Sequence, residues 1–340
     1  MINSYKSRVV FSDFWTLLEF KVDKENNRFY IVIGLATFQR PVMLARALDS
    51  LKNIRVPEDV VVRLVLVDND ALGSAKAVYE KYSEYLPFQS EYQIENKRGI
   101  SNVRNTILSR ALSLNAQYLA FFDDDERVCE DWLRALFSTI KSHDCHAVSG
   151  KVIYEFPNNT EQWIRNGNFF NNKNFVTGTV QDGAGSGNVI IDLGFVKQHD
   201  LIFNKVFNMS GGEDSHFFSS LIQQGGKIVW CQEAITYEEV PQSRLTESWV
   251  LGRACKVGYT TLLRHHLENN TLDTLFFGFK FILSQLGMFL FNMIPSIYNL
   301  IFNHKRSSWV SLQRKLYKIK GAYKFLISKN HVEYQNIHGD

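Results

Sequence analysis

Tyr118-Leu119-Ala120-Phe121-Phe122 runs straight into Asp123-Asp124-Asp125-Glu126, and that junction limits the folds open to the chain. Five residues of strand character bury well inside a sheet, whereas four adjacent carboxylates repel one another unless water, a cation or basic groups compensate them. The acids therefore belong at an edge. In a parallel α/β sheet that edge is the carboxyl end of a strand, where ligands bind. A hard divalent cation prefers such oxygen ligands, and the alternate acids Asp123 and Asp125 can converge on one ion together with a substrate phosphate. Taken alone, the stretch also reads as a solvated turn capping a following helix, because acids favour helix N-termini.

The same pattern recurs upstream. Phe29 to Ala36 reads as a buried strand, and Thr37-Phe38-Gln39-Arg40-Pro41 as the turn into a helix with Leu44, Ala47, Leu48 and Leu51 at helical spacing. Val60 to Val67 is a second buried strand ending in Asp68-Asn69-Asp70. A helix near Ala75 to Tyr85 and a short strand from Glu91 to Ile94 lead to Glu95-Asn96-Lys97-Arg98-Gly99-Ile100-Ser101-Asn102-Val103-Arg104-Asn105. There Ser101 predicts the N-cap of a helix running to about Leu114. Strands alternating with helices predict right-handed crossovers and a mostly parallel sheet.

Four strand ends then deliver Thr37 and Arg40, Asp68 and Asp70, Arg98 and Arg104, and Asp123 to Glu126 to one edge. Singly each has a bland reading: Arg104 as a solvated helix residue, Asp68 and Asp70 as an Asx-turn. Together they suit a nucleotide bearing a diphosphate, in which Asp hydrogen-bonds base or ribose, Arg pairs with phosphate and a metal bridges phosphate to carboxylate. No phosphate loop of the G-x-x-x-x-G-K-[ST] type and no G-x-G-x-x-G follows the first strand, which argues against ATPase and NAD chemistry.

At 340 residues, 45% hydrophobic and 21% charged, the chain has ample material for a core. A net charge of +3 gives no ground for a nucleic-acid partner, and no RNP, C2H2 or helix-turn-helix pattern is present. Cys129, Cys145, Cys231 and Cys255 are scattered without paired spacing, so neither a zinc site nor a disulfide framework is expected and reduced cytosol is the default compartment. Residues 1–28 read as an extension. Asp13, Glu19 and Lys21 interrupt its apolar residues, unlike a signal peptide.

These ordered motifs, namely Ile33 to Pro41, Leu66 to Asp70, Arg98 to Asn105, and Phe122 to Glu126 with Trp132-Leu133, resemble the family 2 glycosyltransferases of GT-A fold. The chain is most similar to the branch that builds bacterial exopolysaccharides and lipopolysaccharides, and the resemblance spans about Tyr30 to Gly258. It implies an α/β, Rossmann-like, mostly parallel central sheet flanked by helices. It also implies a nucleotide-sugar pocket with Thr37 and Arg40 near the base, Asp68 on the uracil edge, Arg98 and Arg104 near the donor, and Asp123-x-Asp125 as the DxD motif. In that pattern Asp125 is the direct ligand of Mg²⁺ or Mn²⁺, Asp123 lies near ribose and metal, and Asp124 orients.

The second half supplies the acceptor side. Residues 158–174 are Asn-rich and read as a loop. Asp182-Gly183-Ala184-Gly185-Ser186-Gly187-Asn188 permits close backbone approach to a ligand, and the resemblance places Gly187 and Asn188 near acceptor and donor sugar. Met209 to Phe218 opens a helix that stops at Gly225-Gly226. Asp214, Phe218 and Leu221 share one face, and a carboxylate in a first helical turn is favoured as the ionised form a base needs. Gly211-Gly212-Glu213-Asp214 resembles the family's Glu-Asp motif, which makes Asp214 the base and Glu213 a supporting acid. His216 stands where relatives often carry another acid and reads as a surface histidine. Arg244 and Arg253 resemble a basic segment that faces the diphosphate. The Gln-x-x-Arg-Trp signature of processive members is missing, which favours one transfer per encounter.

Residues 281–303 carry no charge and are long enough to cross a bilayer, yet Ser284, Gln285, Asn292, Pro295 and Asn299 interrupt them, and a basic tail follows. Three placements are open: amphipathic helices lying in the inner leaflet, a true span, or a helical layer packed on the domain. The first is favoured, because a span that keeps the basic tail inside would put the enzyme outside, away from cytosolic nucleotide sugars.

The resulting expectation is an inverting, metal-dependent glycosyltransferase of hexosyl type that moves a sugar from a nucleotide-sugar, expected to be a UDP-sugar, to a glycan or lipid-linked saccharide in surface polysaccharide synthesis. It would work in the cytoplasm at the inner face of the membrane. Residues 29–128 are read as the nucleotide-sugar half, 129–268 as the acceptor half, and 269–340 as a membrane-associating region. A non-catalytic envelope scaffold of the same fold and a nucleotide-sugar pyrophosphorylase are the alternatives. The pyrophosphorylase needs a Gly-rich turn after the first strand, which Thr37-Phe38-Gln39-Arg40 lacks.

Overall fold

β1 (Phe29–Thr37) sends alternate side chains to opposite faces of the sheet: Ile31, Ile33 and Leu35 enter one core cluster and Val32 the other. The computed structural model to which it belongs describes residues 28–170 and 173–327, so all but Arg28 of the N-terminal extension and the last thirteen residues of the basic tail lie outside the described residues. α1 (Pro41–Ser50) opens on proline, whose missing N–H is not needed in a first turn, and buries Met43, Leu44, Ala47 and Leu48. β2 (Val60–Asp68), α2 (Lys76–Ser83), β3 (Gln89–Ile94), α3 (Ile100–Ser113) and β4 (Tyr118–Asp123) follow in the expected alternation. Parallel ladders join them in the order β3-β2-β1-β4. Thr37 pairs with Asp68 and Ala36 with Asp123, so three polar strand ends finish level at one edge.

Beyond β4 the pairing is mixed. The elements are β5 (Glu126–Val128), α4 (Trp132–Ser142), β6 (Ala147–Glu155), α5 (Gln162–Arg165), β7 (Val180–Gln181), β8 (Asn188–Asp192), α6 (Leu193–Gln198), α7 (Glu213–Gln223) and β9 (Ile228–Glu239). β8 runs antiparallel to both β4 and β6, whereas β9 runs parallel to β6 and antiparallel to β5 and β7. A register shift opposite Gly150 and Lys151 lets the second half of β9 continue towards β5. The acids thus occupy a turn between two strands. They do not cap a helix, because β5 finds a partner in β9.

One local expectation is corrected. The N-cap position of α3 is Gly99, and Ser101 lies within the first turn with its hydroxyl donating to the Asn204 carbonyl at 2.9 Å. Gly99 wins because the chain enters the helix at φ +138, and a Cβ there would stand 2.4 Å from Asn208 Cγ.

α8 (Glu247–Glu268), α9 (Thr271–Phe302) and α10 (Arg306–Ile327) close the described chain. Thr246 caps α8 by accepting from the Trp249 N–H at 3.2 Å. α8 and α10 approach backbone to backbone: a Cβ on Gly321 would lie 1.8 Å from the Cys255 carbonyl oxygen, and one on Gly258 2.0 Å from that of Lys318. α9 packs on α10 and on the second half of α8. By length and composition it could cross a membrane, with a mean hydropathy of 1.6 over its most apolar stretch.

Candidate active site

A cleft of ≈ 480 Å³ opens at the sheet edge where β1 and β4 end, walled on the far side by the start of α7 and the first half of α8. That volume lies in the usual range for small-molecule sites. Thr37, Arg40, Arg98, Arg104, Asp123, Asp124 and Asp125 line it from the first half of the chain, and Glu213, Asp214, Arg244 and Arg253 from the second. Eleven of the residues singled out in the sequence are therefore brought together.

Three are not. Asp68 is fully buried and turned back on its own loop, where it accepts the N–H of Asp70 at 2.9 Å, the N–H of Ala75 at 2.8 Å and the Tyr92 hydroxyl at 2.9 Å. It does not line the cleft. Asn188 is also buried: its Oδ1 accepts the Trp132 indole N–H at 2.9 Å, and its Nδ2 donates to the carbonyls of Ala234 and Lys151. Its role is to satisfy core polar groups. Gly187 lies beneath the acids, where a Cβ would meet Glu126 Oε1 at 2.7 Å and Asp123 Oδ2 at 3.0 Å. The Gly-rich loop does approach closely, since Gly185 also stands 3.6 Å from Asp214 Oδ2 by the same measure.

The β4 acids are each met by a cation or hydroxyl. Asp124 accepts from Thr37 Oγ1 at 2.7 Å and Arg40 Nη1 at 3.0 Å. Asp125 Oδ2 takes Arg244 Nη2 at 3.0 Å and Arg40 at 3.5 Å, and the other arm of Arg244 reaches Glu238 Oε1 at 2.8 Å. Arg104 spans the cleft floor, donating to Asp123 Oδ1 at 3.1 Å and to Glu213 Oε1. Burial pushes Asp124 up to about 6 against the opposing charge of Arg40. It pushes Glu213 up to about 7 against Arg104, with Asp214 adding to the rise. Glu238 rises to about 8 through burial and the charge of Asp125, opposed by Arg244 and Arg253. Crowded carboxyls in a desolvated floor hold protons more tightly than in water.

The second wall owes its shape to glycine. Gly211 and Gly212 take φ +68 and +96, and Gly212 forms the N-cap of α7. This left-handed pair puts Glu213 and Asp214 into the first helical turn, facing the cleft. Glu213 is buried, whereas Asp214 is half-buried with its Oδ1 accepting the Ser215 N–H at 2.6 Å. Asp214 does not follow the apolar stripe of Phe218 and Leu221 into the core.

The residues fit a divalent cation by the chemistry of their donors. Asp123 is 40% exposed to the cleft at its side chain, Asp125 lies beside it, and Glu126 beneath them leaves Oε2 buried without a hydrogen-bond partner. Among the described residues no three acidic, histidine or cysteine side chains are placed to hold an ion by themselves. An ion here would complete its shell from substrate phosphate and water, which is how Mg²⁺ sites are commonly built.

Several cleft residues went unrecognised in the sequence. Asn69 accepts the Gly99 N–H at 2.7 Å and donates to the carbonyls of Glu95 and Lys97, so it shapes the loop that carries Arg98. Phe38 receives the Arg98 guanidinium 4.8 Å from its ring centre, and Trp249 receives that of Arg253 at 5.3 Å. Glu238 and Lys256 come from β9 and α8, where no motif marks them. Asn69, next to Asp68 at a strand end, was the one with a readable signal.

Comparison with known proteins bears on the family and the fold. The pattern of "Glycosyl transferase family 2" matches residues 32–193. The succinoglycan biosynthesis protein ExoM of Rhizobium meliloti (strain 1021) is 33% identical over 236 residues, covering 69% of this chain and 75% of that protein. Among solved structures, the mannosyltransferase PcManGT from Pyrobaculum calidifontis, in complex with GDP-Man and Mn²⁺, superposes with a TM-score of 0.59 at 16% identity over 89% of this chain and 88% of its own. GalNAc-T7 with UDP, GalNAc and Mn²⁺ gives a TM-score of 0.50 at 14% identity, over 68% of this chain and 48% of that one. These structural likenesses speak for the GT-A fold. The ordered motifs, the fold and the ExoM likeness converge: the chain belongs to glycosyl transferase family 2 and is a glycosyltransferase.

Proposed function

We propose that the protein is an inverting, metal-dependent transferase that moves a sugar from a nucleotide-sugar, a UDP-sugar in the first instance, to a hydroxyl of a glycan or lipid-linked saccharide during surface polysaccharide synthesis. The observation that carries this reading is that Asp123 and Asp125 at the end of β4 and Asp214 at the start of α7 face one cleft. Its floor is crossed by Arg104. The likeness to ExoM, named for succinoglycan biosynthesis, supports the polysaccharide role. The named ligands of PcManGT and GalNAc-T7 support a nucleotide-sugar donor and a divalent ion.

In this reading residues 29–128 bind the donor and 129–268 the acceptor. Asp123 and Asp125 would hold Mg²⁺ or Mn²⁺, whose charge, when bound, neutralises the departing diphosphate. Asp214 takes the proton from the acceptor hydroxyl as it attacks the anomeric carbon from the face opposite the leaving group. Arg104 positions both acid groups through its two arms, and Arg98, Arg244 and Arg253 supply positive charge for phosphate oxygens. The enzyme works on cytosolic donor at the inner face of the cytoplasmic membrane.

Thermal shift with UDP, GDP and their sugars, each with Mn²⁺ or Mg²⁺ and with chelator, tests the donor side. A ligand at 100 times its Kd raises stability by about 2.7 kcal/mol. Stabilisation by a nucleoside diphosphate only when metal is present is expected. No stabilisation by any of them would favour the scaffold reading; where stabilisation is seen, the best ligand directs a screen for metal-dependent sugar hydrolysis.

A further inference from the structure

α9 is built inside out for a helix in water. Its buried positions are Thr274, Gly278, Gln285 and Ser296, whereas Leu272, Phe291 and Ile294 on the other side are 78%, 82% and 75% exposed. Large exposed apolar patches mark protein or membrane contacts. Resting on the glycosyltransferase reading and sharpening its membrane partner, we infer that α9 lies in the plane of one leaflet of a membrane containing anionic lipid, with its apolar face against the acyl chains and α10 strapped along its protein side, and that it does not cross.

The packing of α10 rules against a span. α10 returns along α9: Lys315 Nζ lies 3.9 Å from Met288 Sδ near the middle of α9, and Leu326 Cδ2 lies 3.9 Å from the Cβ position of Gly278 near its start. If α9 crossed, it would either drag Arg314, Lys315 and Lys318 of α10 into hydrocarbon or strip α10 away and leave Thr274, Gln285 and Ser296 facing lipid. Charges at bilayer depth are costly. Lying in the plane keeps the pair together, with the apolar face buried and the charges at headgroup level.

Charge decides between lipid and a second copy of the chain. Residues 271–327 hold eight Lys and Arg against one acid, Asp273, and Lys280, Lys305, Lys320 and Lys324 are exposed. Two such surfaces repel each other, while anionic headgroups attract both. α8 then fixes the cleft relative to the leaflet. Its first half carries Trp249 and Arg253 into the cleft, and its second half meets α9, with His265 stacked on Phe277 at 4.1 Å.

The test is flotation of the full-length protein with vesicles of phosphatidylcholine alone and of phosphatidylcholine with phosphatidylglycerol. Binding is expected on the anionic vesicles and should weaken as salt rises. The triple variant Leu283→Gln, Phe291→Gln, Ile294→Gln alters only outward side chains, so it should keep its melting temperature and bind roughly tenfold less or weaker still. Its metal-dependent donor hydrolysis should persist, which separates this proposal from the catalytic one: lost hydrolysis in the parent chain with vesicle binding intact would count against the catalytic reading alone. Equal binding by parent and triple variant overturns the proposal, as does a lipid-free dimer abolished by the triple variant without any vesicle binding. Topology is read with Asp273→Cys and His304→Cys, each against the parent chain, using a membrane-impermeant maleimide outside the vesicles. Labelling of both is expected, and labelling of one end alone means a span.

Discussion

The two acid groups that share the cleft are held in opposite ways. On the β4 side each carboxylate is met by a guanidinium: Asp123 by Arg104, Asp124 by Arg40, Asp125 by Arg40 and Arg244. On the α7 side Glu213 takes the second arm of Arg104, while Asp214 makes no ion pair among the described residues. The guanidiniums only partly offset the burial that raises Asp123 and Asp124 above the ordinary carboxylate range, and they engage carboxylate oxygens in charge-assisted hydrogen bonds. In the proposed reading the paired β4 acids serve the leaving diphosphate and its metal, and Asp214, which lacks such a pair, serves the acceptor hydroxyl.

The largest effects separate those roles directly. Asp125→Ala should abolish transfer and weaken metal-dependent donor binding together, read by turnover and by titration with nucleoside diphosphate and Mn²⁺. Asp214→Ala should lower turnover by about 10²- to 10⁴-fold, the span of general base catalysis, with donor affinity nearly unchanged. Near-normal turnover of Asp214→Ala with the natural acceptor would dissolve the contrast between the walls.

Arg104 is the tie between them, and its removal should act on stability. Arg104→Met leaves Glu213 buried without its cation, a loss of about 3 kcal/mol at neutral pH by analogy with broken buried ion pairs. Urea unfolding measures it. Arg104→Met with Glu213→Gln should recover part of that loss, because the stranded charge is gone. If the double variant is no more stable than the single one, Arg104 is anchored by something other than Glu213.

The contrast between the walls was half legible beforehand. Thr37, Arg40 and Asp123 to Asp125 could be placed because each follows an apolar strand whose register the parallel ladders enforce, so the strand end fixes the cleft edge. Asp68 ends its strand in the same way, yet the following loop folds back and takes its carboxylate as a cap for the N–H groups of Asp70 and Ala75. Sequence spacing does not distinguish an acid facing a ligand from one facing its own turn. Asn188 was drawn towards the site by the glycines before it, whereas the indole N–H of Trp132, 56 residues away, holds it in the core. The pairing that defines the walls was not readable at all. Arg244 reaches back to Asp125 across 119 residues and Arg104 reaches Glu213 across 109, and only the closure of α7 and α8 over the sheet edge brings those groups together.

The smallest effect is a pH dependence that sharpens the account of the α7 wall. Burial raises the Glu213 carboxyl from its ordinary value of 4.5 to about 7, with Arg104 opposing and Asp214 assisting. A group that holds its proton more tightly when folded adds stability that is fully present below the unfolded value and is lost as pH rises through the folded one. Between about pH 4.5 and pH 7 the contribution of Glu213 should therefore fall, by on the order of 1 to 3 kcal/mol. Glu213→Gln cannot titrate, so its urea midpoint should change less than that of the parent chain across this window. Asp214→Asn removes the neighbouring negative charge and should narrow the window without closing it. A parent chain and a Glu213→Gln variant with the same slope would move the titrating group away from Glu213, and the rule that Arg104 only partly compensates this wall would fall with it.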